Sequence, residues 1–150
     1  MSEMPEYLFR GTTIGYEGGT TSQTYSFTCT SVHPIIALYF AMECSTCFPE
    51  QAVVYVANFE NVKHHEAEAN VLKKIEQECV LKVAPADFYP LTEGYIHYRD
   101  LQAILKEMGF DVTQVITKQN LTELCSKVPQ LSPEEMESIM SRILAQLATN

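Results

Sequence analysis

Three short stretches of this sequence combine residue types that could act together on a polar substrate. Arg10 follows an apolar run, Cys29-Thr30-Ser31 closes a second one, and Glu76 and Glu78 stand one residue apart before a third. Arginine offers paired donors to phosphate or carboxylate, and hydroxyls both donate and accept. In an extended segment residues i and i+2 project to the same face, so the two glutamates are predicted to share one space. Adjacent carboxylates repel, which points to a reaction or a cation that uses them.

Strands and one helix are predicted to position these side chains. Apolar runs and alternation favour strands at 6–13, 25–31, 52–59 and 79–91. A helix is expected from His33-Pro34 to about "ECSTCFPE", with Ser31 as its N-cap and Pro34 in its first turn. Residues 15–24 are rich in Gly, Thr and Ser and predict a mobile loop, whereas 64–78 is compatible with a helix or a polar loop.

The sequence becomes helical in character after about residue 93. Amphipathic patterns predict helices within 98–110, 118–128 and 132–148, with 111–117 as a short strand or a turn. The third helix has the strongest start signals, because Ser132 and Glu135 can form a capping box around Pro133. These helices are expected to cap the sheet, and the alternative is a helix that binds a partner.

Composition narrows the class of protein. The chain has 150 residues, 46% of them apolar, which suits one domain with a core. A net charge of −9 argues against nucleic-acid binding, which depends on Lys and Arg. No apolar run approaches the roughly 20 residues that span a bilayer, and no signal-peptide pattern opens the sequence. We therefore expect no membrane partner and a cytoplasmic location, in the producing cell or in a target cell.

The cysteines give a weak signal. There are five, and Cys44 and Cys47 form a CxxC. One such pair without a second is a poor zinc motif, and His64-His65 could complete it only if folding brought them close. We expect thiols in a reducing compartment and no metal site.

The quoted motifs also resemble a known family. "LFRGT", "FTCTSVHPIIALYFA" and "EQECVLKVAPADF" resemble, in this order, the signature elements of mono-ADP-ribosyltransferases of the Arg–Ser–Glu class. That class includes cholera-toxin-like and clostridial C2- or C3-like toxins and related phage and vertebrate enzymes. The resemblance covers roughly residues 6 to 90. It implies an α/β (α+β) fold with a split mixed β-sheet core, here followed by a helical C-terminal portion.

The resemblance implies a role for each candidate residue. Arg10 would hold a phosphate of NAD⁺, and the backbone of Gly11 would bind the nicotinamide amide. Cys29, Thr30 and Ser31 would form the pocket floor, with Thr30 or Ser31 bridging the ribose and the catalytic acid. Glu78 would stabilise the oxocarbenium-like transition state by its charge, and Glu76 would orient or deprotonate the acceptor. Cys29 departs from the family, which has a serine at that position.

The function so implied is NAD⁺-dependent transfer of ADP-ribose to a protein, by a toxin, effector or phage-type modifier. A glutamate at the first position of Glu-x-Glu goes with arginine acceptors in the family, so an arginine-bearing protein is the expected partner. NAD⁺ glycohydrolysis and a catalytically silent binding module are the alternatives. The expected organisation is one domain, with an NAD-binding core at 1–92 and a helical cap at 93–150.

Each of these residues also has a simpler interpretation as a structural or surface residue. Arg10 could be a surface ion-pair residue, Glu76 and Glu78 the solvated face of an edge strand, and the hydroxyl run only a helix cap. A second Glu-x-Glu, Glu66 and Glu68, lies in helix-forming sequence and is the less favoured pair.

Overall fold

A computed structural model describes residues 5–16, 27–67 and 75–148 of the chain. Five strands lie within those ranges: β1 Tyr7–Thr13, β2 Thr28–Ser31, β3 Ala52–Asn58, β4 Glu78–Leu81 and β5 Gly94–His97. Six helices accompany them there: α1 Pro34–Ser45, α2 Phe59–Val62, α3 Pro85–Phe88, α4 Tyr98–Glu107, α5 Lys118–Ser126 and α6 Pro133–Leu144. Single 3₁₀ turns follow α2 at Lys63–His65 and α3 at Tyr89–Leu91. The predicted class of mixed helices and strands is thereby confirmed.

The five strands form one sheet in the order β4-β2-β1-β3-β5. Every described pairing is antiparallel, so the expectation of a mixed sheet is wrong. β1 pairs with β3 along its whole length, from Tyr7↔Asn58 to Thr13↔Ala52. Its register with β2 is confined, in the described part of the chain, to Phe9↔Ser31. The sheet therefore opens between β1 and β2 beyond this point.

Each face of the sheet buries its own apolar cluster. α1, α4, α5 and α6 pack on the face that carries Phe9, Val54 and Val56. The opposite face carries Leu8 and Tyr55, covered by α2, α3 and the turn after α3. Alternate residues of a strand point to opposite faces, which is why consecutive residues of β1 and β3 belong to different clusters. The C-terminal helices are thus part of the core that backs β1.

The predicted starts of α1, α4, α5 and α6 are confirmed, but the predicted N-cap of α1 is wrong. Ser31 was predicted as its N-cap, but Ser31 ends β2 and the N-cap is His33, whose Nδ1 accepts a hydrogen bond from the Ile35 N–H at 3.1 Å. The capping box of Ser132 and Glu135 at α6 is confirmed. His33 is a rare choice because helix caps favour Ser, Thr, Asp and Asn.

The prediction of one strand across 79–91 is wrong beyond Leu81. Pro85 has no N–H for a sheet and starts α3 instead. β5, which sequence reasoning missed, lies in the segment expected to be helical. Residues 111–117 form neither the predicted strand nor the predicted turn.

Two sequence predictions fall largely outside the described residues. The predicted loop at 15–24 is described only for Gly15 and Tyr16, and the ambiguous stretch 64–78 only for 64–67 and 75–78. Across the ranges that the structure covers, no helix has the length and apolar character needed to cross a membrane.

Candidate functional site

A cleft of about 340 Å³ lies where β1 and β2 separate. Its lining contains all seven residues singled out in the sequence: Arg10, Gly11, Cys29, Thr30, Ser31, Glu76 and Glu78. They come from β1, from β2 and from segment 76–78, which leads into β4. Folding brings these parts together although nearly 70 residues separate the first from the last. Phe9, Ala37 and Phe40 complete the lining.

Arg10 spans the opening between the two strands. One Nη of its guanidinium donates to the carbonyl oxygen of Cys29 at 3.1 Å, and its Nε donates to the hydroxyl of Tyr89 at 3.4 Å. The first bond satisfies a β2 carbonyl where β1 and β2 have parted. Both acceptors are uncharged, so these bonds orient the guanidinium without neutralising it. The cleft therefore has a positive charge on the β1 side.

The hydroxyls of β2 are tied to the backbone beside them. Thr30 is buried and donates to the carbonyl of Cys79 at 2.7 Å. Ser31 is buried and donates to the carbonyl of Glu76 at 2.8 Å, while accepting from the N–H of His33 at 3.1 Å. Their donor protons are thus used within the protein, and only their oxygen lone pairs remain for a ligand. Ser31 therefore contacts the segment that carries the two glutamates through the backbone carbonyl of Glu76, not through a carboxylate.

The two glutamates share the cleft, but not through an extended segment. Gln77 between them has a φ of +47°, in the left-handed region that non-glycine residues enter at a cost of about 1–3 kcal/mol. The carbonyl of Gln77 accepts from the N–H of Val32 at 3.1 Å, which holds the bend against the end of β2. Glu78 then starts β4 opposite Ser31. The prediction of extended geometry is wrong, although both carboxylates are half-buried and line the same cleft.

Gly11 has a packing role that the sequence did not indicate. A Cβ built on it would lie 1.8 Å from the carbonyl oxygen of Ala37 and 2.7 Å from the backbone nitrogen of Ala41. α1 can approach β1 only because position 11 has no side chain. This contact places Ala37 and Phe40, three residues apart on one helix face, at the cleft wall.

Other candidates lie away from the cleft or at its edge. Glu66 forms a bridge with Leu81 outside the cleft lining, and its companion Glu68 is outside the described residues. All five cysteines are thiols, with Cys29 and Cys47 exposed and Cys44 half-buried. Within the described ranges no group of three or more His, Cys, Asp or Glu could hold a metal ion.

The C-terminal segment contacts the residues next to the cleft, through α5 and the loop that follows it. Burial raises the pKa of the Cys125 thiol, on α5, to about 11, and the charge of Glu76 adds to that rise. The Nε2 of His33 donates to the carbonyl of Pro129 at 2.9 Å, since its Nδ1 accepts at the helix cap. Burial lowers the pKa of His33, which favours the neutral form of the ring. A continuous contact thus runs from Pro129 through His33 and Ser31 to Glu76.

Sequence reasoning missed Ala37 and Tyr89, and it favoured a core position for Phe40 over one that lines the pocket. Phe40 could have been found from helical spacing with Ala37. Tyr89 gives no local signal, because its partner Arg10 lies 79 residues away.

Comparison of the chain with protein-family models, with curated proteins and with solved structures gives no match.

Proposed function

We propose that this chain is an ADP-ribosyltransferase-like protein that transfers ADP-ribose from NAD⁺ to an arginine of a protein acceptor and releases nicotinamide. The observation that carries the proposal is the meeting of Arg10, the Cys29-Thr30-Ser31 segment, Glu76 and Glu78 in one cleft. These residues were selected by motif alone, and surface residues of unrelated role would have no reason to converge. The sheet that opens between β1 and β2 is the proposed counterpart of the family's split core.

The cleft has chemistry that suits NAD⁺. Its guanidinium, oriented by neutral acceptors, matches a diphosphate. The carboxylates of Glu76 and Glu78 match ribose hydroxyl donors, and the half-buried Phe40 offers an aromatic wall for a flat ring. A volume of about 340 Å³ is at the small end for ligand sites. It suits the nicotinamide riboside part, with the remainder of the dinucleotide lying along Arg10.

The proposed reaction breaks the bond between C1′ of the ribose and the nicotinamide nitrogen. The nicotinamide leaves with the bonding electron pair as a neutral molecule, and positive charge develops on the ribose ring. Glu78 stabilises that charge by Coulomb attraction within the half-buried cleft. A guanidinium nitrogen of the acceptor then bonds to C1′, and its proton passes to Glu76 or to solvent. No metal or redox partner enters this balance.

The arginine preference follows from the pair of carboxylates. Glu76 stands beside Glu78 at the cleft, and a carboxylate can hold a guanidinium through two parallel hydrogen bonds. A lysine ammonium has no such planar fork. The net charge of −9 favours a basic acceptor, a protein reached in the cytoplasm of the producing or a target cell.

The test uses labelled NAD⁺ with two matched peptides, one containing arginine and one with lysine at the same positions. Label on the arginine peptide alone supports the proposal. Free ADP-ribose without peptide label means that water is the acceptor, and neither product means a silent binding module. Glu76→Gln should abolish peptide labelling and retain NAD⁺ hydrolysis, because Glu76 serves the acceptor.

A further inference from the structure

Tyr89 contacts the cleft residue Arg10 from the sheet face opposite α1. Its ring is 6% exposed and stacks on Tyr55 with the centroids 4.3 Å apart and the planes at 25°. Tyr55 in turn is the cross-strand partner of Arg10 in the β1–β3 ladder. The stack therefore fixes the Tyr89 hydroxyl against the side of β1 from which Arg10 projects.

The Tyr89 hydroxyl has two hydrogen-bond partners of different kinds. It donates to the carbonyl oxygen of Tyr16. A phenol has a single proton, so its oxygen faces the Nε of Arg10 as an acceptor, at 3.4 Å. Donor and acceptor roles are thereby both assigned, and the hydroxyl cannot turn its proton toward the guanidinium.

We propose that Tyr89 is a positioning residue, which holds the guanidinium of Arg10 in the orientation that receives the diphosphate of NAD⁺. This inference rests on the proposed function. Two separate bonds fix the plane of the guanidinium, one from Nε to Tyr89 and one from Nη to the Cys29 carbonyl. A guanidinium has five N–H donors, so donors remain for an anion.

Because the Tyr89 phenol is neutral, it holds Arg10 without reducing the positive charge of the guanidinium. Arginines elsewhere in the chain are held by carboxylates, Arg99 by Glu50 at 3.5 Å and Arg142 by Glu107 at 2.6 Å. A carboxylate partner lowers the attraction of a guanidinium for a second anion, whereas a phenol and a carbonyl leave its full charge. Tyr89 thus orients Arg10 while preserving the charge that a diphosphate requires.

Tyr89→Phe tests the proposal because it keeps the stack on Tyr55 and removes only the hydroxyl. We expect KM for NAD⁺ to rise about three- to tenfold, the effect of losing one intramolecular hydrogen bond of ordinary strength, with kcat changed less than twofold. Tyr95→Phe is the matched control, since the Tyr95 ring also packs on Tyr55, at 5.4 Å. It should leave KM unchanged. An unchanged KM in Tyr89→Phe overturns the proposal.

A second readout does not depend on turnover. The chain contains three arginines, Arg10, Arg99 and Arg142, so their Nε–Hε signals can be assigned by ¹⁵N NMR. In the unaltered protein the Hε of Arg10 should exchange with water more slowly than those of Arg99 and Arg142, and in Tyr89→Phe its signal should shift. Equal exchange rates would refute the positioning role. Slow exchange in a protein without NAD⁺ turnover would retain the positioning of Arg10 and reject the proposed function.

Discussion

The hydroxyl of Ser31 donates a 2.8 Å hydrogen bond to the backbone carbonyl of Glu76, 45 residues further along the chain. Ser31 is 4% exposed, so the bond is shielded from water. It joins the end of β2 to the bend that presents both glutamates to the cleft. The position of Glu76 and Glu78 thus depends on Ser31, for which the family resemblance implies a role in contacting the ribose.

Ser31→Ala should destabilise the protein by about 1–3 kcal/mol, because the carbonyl of Glu76 and the N–H of His33 both lose their partner. Urea denaturation measures the free energy of unfolding. Ser45→Ala is the control, since Ser45 donates only within its own helix, to Met42 at 2.6 Å. Equal losses for the two variants would contradict the account of Ser31.

Gly11→Ala should destabilise by at least about 3 kcal/mol, the upper part of the range for overpacking. The added Cβ would meet the carbonyl of Ala37 at 1.8 Å, so α1 must move away from the sheet. Gly109→Ala adds a Cβ in open space at a φ of +92° and should cost only the left-handed strain, about 1–2 kcal/mol. Thermal or urea unfolding of both variants gives the comparison, and a smaller loss for Gly11→Ala would refute the close contact.

Stability should fall as the pH decreases through about 6.5. Burial lowers the pKa of His33 from its usual 6.5, so the unfolded chain binds the proton more readily than the folded protein. The contribution of His33 is complete above pH 6.5 and is lost toward its lowered folded-state pKa. Protonation would also remove the Nδ1 acceptor that caps α1.

The pH prediction is measured as the melting temperature between pH 7.5 and 5.5. His33→Asn can still cap a helix but does not titrate, so its melting temperature should decrease less over this interval. Parallel curves for the two proteins would assign the pH dependence to other groups.

Four of the five cysteines should react with iodoacetamide in two groups. Cys29 and Cys47 are exposed and should be alkylated first. Cys79 and Cys125 are each 2% exposed, and burial raises the pKa of each thiol to about 11, which leaves little thiolate at neutral pH. Mass spectrometry of the native protein against time gives the order. Early modification of Cys79 or Cys125 would show that β4 or α5 opens readily.

Apolar periodicity and helix-capping residues were sufficient to predict several strands and helices from the sequence. β1, β3 and α4 were predicted close to their observed bounds, and α6 followed from its capping box. The gathering of the candidate residues in one cleft was also anticipated, from the order of three motifs rather than from any single one.

The remaining features depend on contacts that no local pattern encodes. β5 has only four residues, and it is a strand because β3 offers it an edge. The left-handed conformation of Gln77 accompanies a hydrogen bond from the N–H of Val32, just after β2, to the carbonyl of Gln77. Tyr89 meets Arg10 across 79 residues, which periodicity cannot reveal.

The central claim is that this cleft binds and cleaves NAD⁺ through Glu78. The most direct measurement is nicotinamide release from NAD⁺ by the unaltered chain and by Glu78→Gln, with Glu93→Gln as a control on an exposed carboxylate outside the cleft. We expect release to fall by at least about 100-fold in Glu78→Gln, since its charge stabilises the transition state, and to be unchanged in Glu93→Gln. Equal release by Glu78→Gln and the unaltered chain, or no release by the unaltered chain, would contradict the account.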